Sequence, residues 1–252
     1  MAVATLLIYL QRTTEIYSVL SSNEDRASET EVEMVESSTT MTQANNEKAE
    51  SHTIYETLAM TMRSWSSVGF LFSAITLCMG TSVVENLIFL FFEETLGGTN
   101  FQCGLTVVVT VIFEIPIFHY APRILQAFGY QSMQKVACLA YITRVIGYTF
   151  IPKDRMYLVL FLEPLHGVTY ACSKTATVQM ASEITPEGYE ASFQGIISMI
   201  TSFGSVLGVC LGGWIEDHYS DILLYRLYAF VVLVGLVAYH ASIAVSKNRN
   251  NV

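Results

Sequence analysis

Six long apolar segments dominate the sequence and set the strongest limit on what it can fold into. Each holds 18 to 25 residues, and at about 1.5 Å of helix rise per residue each can cross a hydrocarbon core of about 30 Å. Their all-round hydrophobicity and frequent glycine are typical of transmembrane helices rather than of helices in a soluble core. The sequence therefore predicts an all-α membrane protein. The segments are Val68–Phe92, Gly104–Ala121, Met133–Ile151, Tyr157–Met180, Phe193–Trp214 and Ile222–Val245.

The composition supports the membrane prediction and argues against several other classes. Only 14% of the 252 residues are charged and 52% are hydrophobic, whereas a soluble domain has roughly a quarter charged residues. The net charge of −9 gives no support for nucleic-acid binding. The sequence has no Gly-x-Ser-x-Gly, His-Glu-x-x-His or paired-aspartate protease pattern, and its cysteines and histidines form no metal-ligand spacing. We therefore expect neither an enzyme nor a cofactor or metal site.

The chain divides into four regions by composition. Residues 1–10 are apolar but too short to span a bilayer, so we interpret them as the end of a preceding transmembrane helix. Residues 11–66 cannot bury enough apolar surface to fold and are predicted to be disordered, and their stretch from Glu15 to Glu56 holds ten acidic and two basic side chains. Residues 67–246 form the predicted six-helix membrane domain, and residues 247–252 form a short tail.

Lysine and arginine in the segment flanks favour one orientation of the domain. If the acidic region is cytoplasmic, five basic residues flank the helices on that side, against Lys153 and Arg155 in the outer loops and Arg226 just inside the last span. Both ends of the domain and the tail are therefore predicted to be cytoplasmic, in a multi-pass protein of a membrane that the sequence does not specify. The five flanking residues are Arg63, Arg123, Lys135, Lys247 and Arg249.

The fourth segment contains four side chains that are unusual in a membrane: Glu163, His166, Tyr170 and Lys174. At about 100° per residue, Glu163, Tyr170 and Lys174 share one face of a helix. A charge at the bilayer centre costs on the order of 3 kcal/mol on insertion scales, so such residues usually have a function. Pro164 removes a backbone hydrogen bond next to Glu163 and predicts a bend or an opening of the helix there.

Other segments add polar and small residues. The first carries Glu85 and Asn86, with Glu85 about as far from the outer end of its segment as Glu163 is from the outer end of its own, so the two carboxylates are expected at one depth. Glu114 and Arg144 lie near mid-membrane on consecutive segments, which predicts a structural ion pair between them. Three glycines spaced by four predict close packing of the fifth helix: Gly204, Gly208 and Gly212.

A series of short motifs in the later segments resembles a known family. Glu163-Pro-Leu-His-Gly-Val-Thr-Tyr170 is followed by Pro186-Glu-Gly188, Gln194-Gly195 and the glycines that end in Gly212-Gly213. Together they resemble the C-terminal half of a major facilitator superfamily transporter, most closely the branch of major facilitator superfamily domain-containing protein six and its bacterial permease-like relatives. Glu114-Ile-Pro116 resembles a motif of that half as well, and the resemblance extends over about 67–245.

The resemblance implies a fold and a set of partners. The superfamily has twelve helices in two halves, each a three-plus-three inverted repeat, so the chain is expected to be one six-helix half. Residues 1–10 would then end the sixth helix, and the acidic region would be the central cytoplasmic loop. The implied partners are the lipid bilayer, a small-molecule solute, and either a missing N-terminal half or a second copy of the chain.

The intramembrane side chains and the resemblance lead to a functional hypothesis. In the superfamily the first and fourth helices of a half line the central cavity, and here these helices carry Glu85 and Glu163. We therefore predict a solute and proton site made of Glu85, Asn86, Glu163, His166, Tyr170 and Lys174. Glu163 would bind and release a proton and His166 would relay it. The predicted function is secondary active or facilitative transport of a small polar solute by alternating access, with or without proton coupling.

Two alternatives remain open on the sequence alone. The charged groups could pair with one another to satisfy their burial and take no part in transport. The chain could also be a membrane receptor or scaffold that keeps the transporter fold, a reading that the acidic region favours because such a region suits partner binding.

Overall fold

The computed structural model describes residues 64–185 and 190–249, and every regular element in these ranges is helical. The predicted stub at 1–10 and nearly all of the predicted acidic loop at 11–66 lie outside the described residues. Helix α1 is Trp65–Leu90 and continues into a π-helical turn, Phe91–Thr95. A long helical segment, Asn100–Tyr148, follows, and then a 3-10 helix, Met156–Phe161. The last three helices are Pro164–Ile184, Glu190–His218 and Asp221–Arg249.

Gly129 divides the long segment into two helices. The segment has 49 residues, about 74 Å at 1.5 Å per residue, which is more than twice the thickness of a bilayer core. At Gly129 the backbone has φ 73° and ψ 159°, a conformation that glycine adopts readily because it lacks a Cβ. We therefore name residues 100–128 α2 and residues 130–148 α3, and the three later helices α4, α5 and α6.

The region around Pro122 differs from the sequence prediction. The two apolar segments were expected to end and begin at Ala121 and Met133, but the chain stays helical up to Gly129. Pro116 and Pro122 both lie inside α2, and both are exposed. The helix therefore ends at the residue with positive φ and not at the prolines.

Contacts along the helices show that the chain reverses at Gly129. Thr110 contacts Glu163 and Phe118 packs on Tyr170, so α2 and α4 run in the same direction.

Helices α3 and α4 run in opposite directions. Arg144 contacts His166, whereas Gly147, later in α3, lies against Leu162, which comes before His166 in the sequence. Helices α2 and α3 are consequently antiparallel.

Helix α5 packs closely on α1 through its three spaced glycines. A Cβ added at Gly208 would come within 2.5 Å of a backbone oxygen of α1, so a side chain there would force the two helices apart. Gly204 and Gly212 face neighbouring positions of α1 in the same order, which shows that α5 and α1 are parallel. The facing residues of α1 are Ile75, Met79 and Val83. The geometry is the close backbone approach that small residues allow in membrane helices.

Helix α6 covers another side of α1 and runs against it. The ring of Tyr225, near the start of α6, packs on Phe91, while Tyr239, near its end, packs on Phe70. Helix α1 thus lies between α5 and α6, and the buried core of the domain is built around it.

The six helices alternate in direction and correspond to the six apolar segments of the sequence. Four helices in the described ranges are long and apolar enough to cross a membrane: Trp65–Thr95, Asn100–Tyr148, Phe193–His218 and Asp221–Lys247. The second of these contains both α2 and α3. Helix α4 has 21 residues and is absent from this set because it is more polar, with His166 and Lys174 in its sequence. The all-α, multi-pass fold predicted from the sequence is confirmed.

Candidate functional site: a cleft with two carboxylates

A cleft of about 180 Å³ lies between α1, α2, α3 and the start of α4. Its wall is mostly aliphatic and aromatic, with a few polar groups contributed by all four helices. The lining residues are Val84, Glu85, Ile88, Phe89, Phe92, Thr106, Val107, Thr110, Arg144, Glu163 and His166. The cleft therefore contains both carboxylates that the sequence predicted at one depth, Glu85 and Glu163.

Glu163 stands immediately before the first residue of α4, where the sequence positions it through Pro164. The chain reaches this point in a 3-10 helix, and the α-helix begins at Pro164, which is well suited to a first turn because proline lacks the N–H that would be unpaired there. The predicted opening of the backbone next to Glu163 is thus a change from 3-10 to α-helix. The expected helix over Tyr157–Met180 is corrected to α4 alone.

The carboxylate of Glu163 is buried, with 3% exposure, and is fully hydrogen-bonded. Tyr148 donates to its Oε1 at 2.7 Å, and Thr110 donates to its Oε2 at 2.6 Å. Arg144 lies 3.3 Å from the same Oε2 through Nη2 and forms an ion pair with it. Because a buried carboxylate is stable only with such partners, the three side chains fix both its charge and its orientation.

Arg144 joins the rest of the network. It is 4% exposed, and besides Glu163 it donates through Nε to the hydroxyl of Tyr148 and through Nη1 to Nδ1 of His166, at 2.6 Å. A guanidinium has only donors, so Nδ1 of His166 must be the acceptor and the imidazole proton must lie on Nε2. His166 is therefore held as a neutral ring with one defined tautomer, and it can donate only from Nε2.

The predicted ion pair between Glu114 and Arg144 is corrected by these contacts, because Arg144 pairs with Glu163 instead. Glu114 is half-buried on α2, where its backbone packs against Gly167 of α4; a Cβ added at Gly167 would lie 2.9 Å from the Cα of Glu114. The sequence placed Glu114 and Arg144 near mid-membrane, but in the structure Glu163 is the acidic residue that reaches the guanidinium.

Glu85 has a very different environment. Glu85 lies on α1, lines the cleft and is exposed. No described lysine, arginine or histidine lies within 4.0 Å of its carboxylate. Asn86 is next to it in sequence but does not line the cleft, and its side chain donates to the backbone oxygen of Ser82 at 2.8 Å. Of this predicted pair of polar neighbours, the structure brings only Glu85 to the cleft.

Tyr170 and Lys174 extend from the network along α4 without lining the cleft. The rings of His166 and Tyr170 stack at 6.0 Å with an angle of 11°, and the ammonium of Lys174 lies 5.4 Å from the centre of the Tyr170 ring. Lys174 is exposed. The predicted stripe is therefore divided: Glu163 and His166 lie at the cleft, and Tyr170 and Lys174 form a stacked row leading away from it.

Two polar members of the network were missed by the sequence analysis, Thr110 and Tyr148. Threonine and tyrosine are frequent in apolar segments, so neither stands out from its neighbours. A hint for Tyr148 was available, because it follows Arg144 by four residues and such residues are neighbours on a helix face. Nothing in the sequence singles out Thr110.

The groups on the cleft wall can form ion pairs, hydrogen bonds and apolar contacts. The described residues contain no group of three histidine, cysteine or acidic side chains that could hold a metal ion. The wall contains the ion pair of Glu163 and Arg144, the carboxylate of Glu85, the imidazole of His166 and an apolar surface.

Comparisons with known proteins agree with this architecture. The model of the MFS_1 like family matches residues 3–227, most of the chain. Autophagy-related protein 22-1 of Emericella nidulans is 24% identical over 168 residues, which cover 61% of this chain and 28% of that protein. Maltose permease of Geobacillus stearothermophilus is 21% identical over 165 residues, covering 65% of this chain and 41% of the permease.

The chain spans less than half the length of either of these curated relatives. Among solved structures the comparison found no match. The helices, the cleft and the family match together make this an integral, multi-pass membrane protein in contact with the lipid bilayer.

Proposed function

The chain belongs to the MFS_1 like family, and from this premise we propose that it is part of a transporter that moves a small polar solute across the membrane by alternating access. The observation that carries the proposal is the cleft itself, because it combines an apolar wall with a few convergent polar groups, as ligand sites do. Glu85 has no ion-pair partner among the residues that the structure describes, and an acidic side chain of this kind in a membrane domain suits solute binding.

A second six-helix unit would complete the site. The cleft of about 180 Å³ is smaller than the roughly 300–1,000 Å³ of complete small-molecule pockets, and Glu85 and Phe89 are exposed in it. We propose that an N-terminal half, or a second copy of this chain, covers this side. The solute would then bind between the two units, and a rocking motion would open the site to each side of the membrane in turn.

Proton coupling through Glu163 is the finer part of the proposal. Protonation would remove the negative charge that holds Arg144 and would leave the hydroxyls of Tyr148 and Thr110 facing a neutral acid. The contact between α3 and α4 would weaken as a result, since a buried ion pair depends on both of its charges. Binding of a proton would thus be linked to the relative position of two helices that form the cleft.

Accessibility of the cleft from both sides tests alternating access without knowledge of the solute. Val107 lines the cleft and is exposed, so a Val107→Cys variant, in a background with the native cysteines replaced by alanine, reports on access to the site. We expect a membrane-impermeant maleimide to label it in right-side-out and in inside-out vesicles. As a control, Phe150→Cys, in the loop after α3, should be labelled from one side only.

Labelling of Val107→Cys from one side alone, with the helical content of the variant retained, would contradict transport and favour the receptor or scaffold reading. Proton coupling has its own readout in the same vesicles. The ratio of Val107→Cys labelling from the two sides should vary with pH in the parent background and should stop varying in Glu163→Gln. A ratio that responds to pH equally in both would contradict a coupling role for Glu163.

A further inference from the structure

The charged groups of the cleft wall differ in whether they have close partners. Arg144 is the one guanidinium among the lining residues, and its contacts are directed to Glu163, Tyr148 and His166. His166 is neutral, because it accepts from the guanidinium. Glu163 and Arg144 therefore cancel, whereas no described cation forms an ion pair with the carboxylate of Glu85 within 4.0 Å.

Lys174 is the nearest candidate for neutralising Glu85 from within the described residues, but its geometry is unsuitable. Its ammonium lies over the ring of Tyr170, 5.4 Å from the centroid, and the residue is not part of the cleft lining. No ion pair joins Lys174 and Glu85 within 4.0 Å. A ligand that reaches Glu85 from the cleft therefore does not have to displace an internal cation.

The surface around Glu85 suits an apolar group attached to a cation. Val84 and Ile88 lie on the same helix and are almost fully buried. Phe89, one turn from Glu85, is 39% exposed and lines the cleft, as does Val107 across from it on α2. An aromatic face next to a carboxylate attracts a positive charge by the ring quadrupole as well as by the ion pair.

Taking the proposed transport function as given, we propose that the solute carries a positively charged amine beside an apolar or aromatic group, and that Glu85 binds the amine. The cleft of about 180 Å³ is large enough for this half of the site to accommodate the amine and the group attached to it. A neutral sugar would leave the charge of Glu85 unmatched and would cover an apolar wall with hydroxyls.

A protection experiment separates these solute classes. The probes are 2-phenylethylammonium, its neutral analogue 2-phenylethanol, and maltose, each added before the maleimide to vesicles that carry Val107→Cys. We expect the ammonium to slow labelling at concentrations at which the alcohol and maltose have no effect. The ammonium and the alcohol have nearly the same shape, so the difference between them measures the charge alone.

Two glutamate variants test whether protection by the ammonium depends on Glu85. Glu85→Gln should raise the ammonium concentration needed for half-protection by about tenfold or more, because an interaction between charged groups is lost. Glu93→Gln is the matched control: it removes the same charge from the turn that continues α1, and Glu93 is not among the lining residues, so it should leave protection unchanged. Two-sided labelling retained in Glu85→Gln would show that the variant is folded.

The outcomes keep this inference distinct from the proposed function. Protection by maltose or by the alcohol but not by the ammonium, with two-sided labelling intact, overturns the amine and leaves transport standing. Equal protection in Glu85→Gln and in the parent overturns the role of Glu85. Labelling from one side alone contradicts transport itself, whichever probe protects.

Discussion

Glu163 and Glu85 line the same cleft from different helices, and the protein surrounds them in opposite ways. Glu163 is buried and has an arginine and two hydroxyls as partners, whereas Glu85 is exposed and lacks any described cationic partner. The comparison shows that a carboxylate in a membrane domain can be stabilised internally or left available, and that its environment, more than its depth, separates the two cases. Three substitutions test this difference, from the largest expected effect to the smallest.

Removing the arginine should have the largest effect. Arg144→Met leaves Glu163 buried without a counter-charge, which we expect to lower the free energy of unfolding by about 3–5 kcal/mol. Arg226→Met is the control: Arg226 is exposed and contacts Thr149 and the ring of Phe150, so its loss should cost less than about 1 kcal/mol. Unfolding by SDS in micelles, followed by circular dichroism, measures both.

The double variant tests whether the cost comes from the isolated charge. Adding Glu163→Gln to Arg144→Met should recover most of the lost stability, since removal of both charges of a buried pair is often close to neutral. If the double variant were as unstable as Arg144→Met, packing rather than charge would explain the effect of the arginine.

Tyr148→Phe should have an intermediate effect. It deletes the hydroxyl that donates to Glu163 and accepts from Arg144, two hydrogen bonds to charged groups, and should cost about 2 kcal/mol in the same unfolding assay. The matched variant is Tyr225→Phe, because the hydroxyl of Tyr225 is also buried but has no hydrogen-bond partner in the described part of the chain. Its removal should be neutral or slightly stabilising. Equal losses in the two variants would mean that the network around Glu163 adds nothing to ordinary tyrosine packing.

Glu85→Gln should have the smallest effect on stability, below about 0.5 kcal/mol, as for exposed substitutions that break no internal contact. The measurement is the same SDS titration, compared with Glu163→Gln, which should be clearly less stable than the parent. A large loss in Glu85→Gln would show that Glu85 has an internal partner and would remove the distinction between the two carboxylates.

The sequence predicted the membrane fold well because hydropathy is a local property. Each apolar segment is long enough on its own to indicate a helix, and the described chain has six helices once the long segment is divided at Gly129. The ends of the helices were less accurate. The backbone conformation at Gly129 and the 3-10 turns before Pro164 depend on packing between helices, which the hydropathy of single segments does not describe.

The site was predictable where a residue type is rare in its surroundings, as for Glu163 and His166 in an apolar run. The ion pair in the site could not be predicted, because the partner of Arg144 depends on how far α3 and α4 rotate about their axes. Whether these residues bind solute or protons stays a prediction.

The single residue that joins α2 to α3 has a mechanical consequence. Thr110 lies 19 positions before Gly129, about 28 Å along a helix. If α2 turns as a rigid rod about the two torsion angles of Gly129, a rotation of about 6° displaces Thr110 by about 3 Å, which is enough to separate it from Glu163. A small change in the backbone torsion angles of Gly129, at one end of α2, is therefore enough to break the hydrogen bond between Thr110 and Glu163 in the cleft.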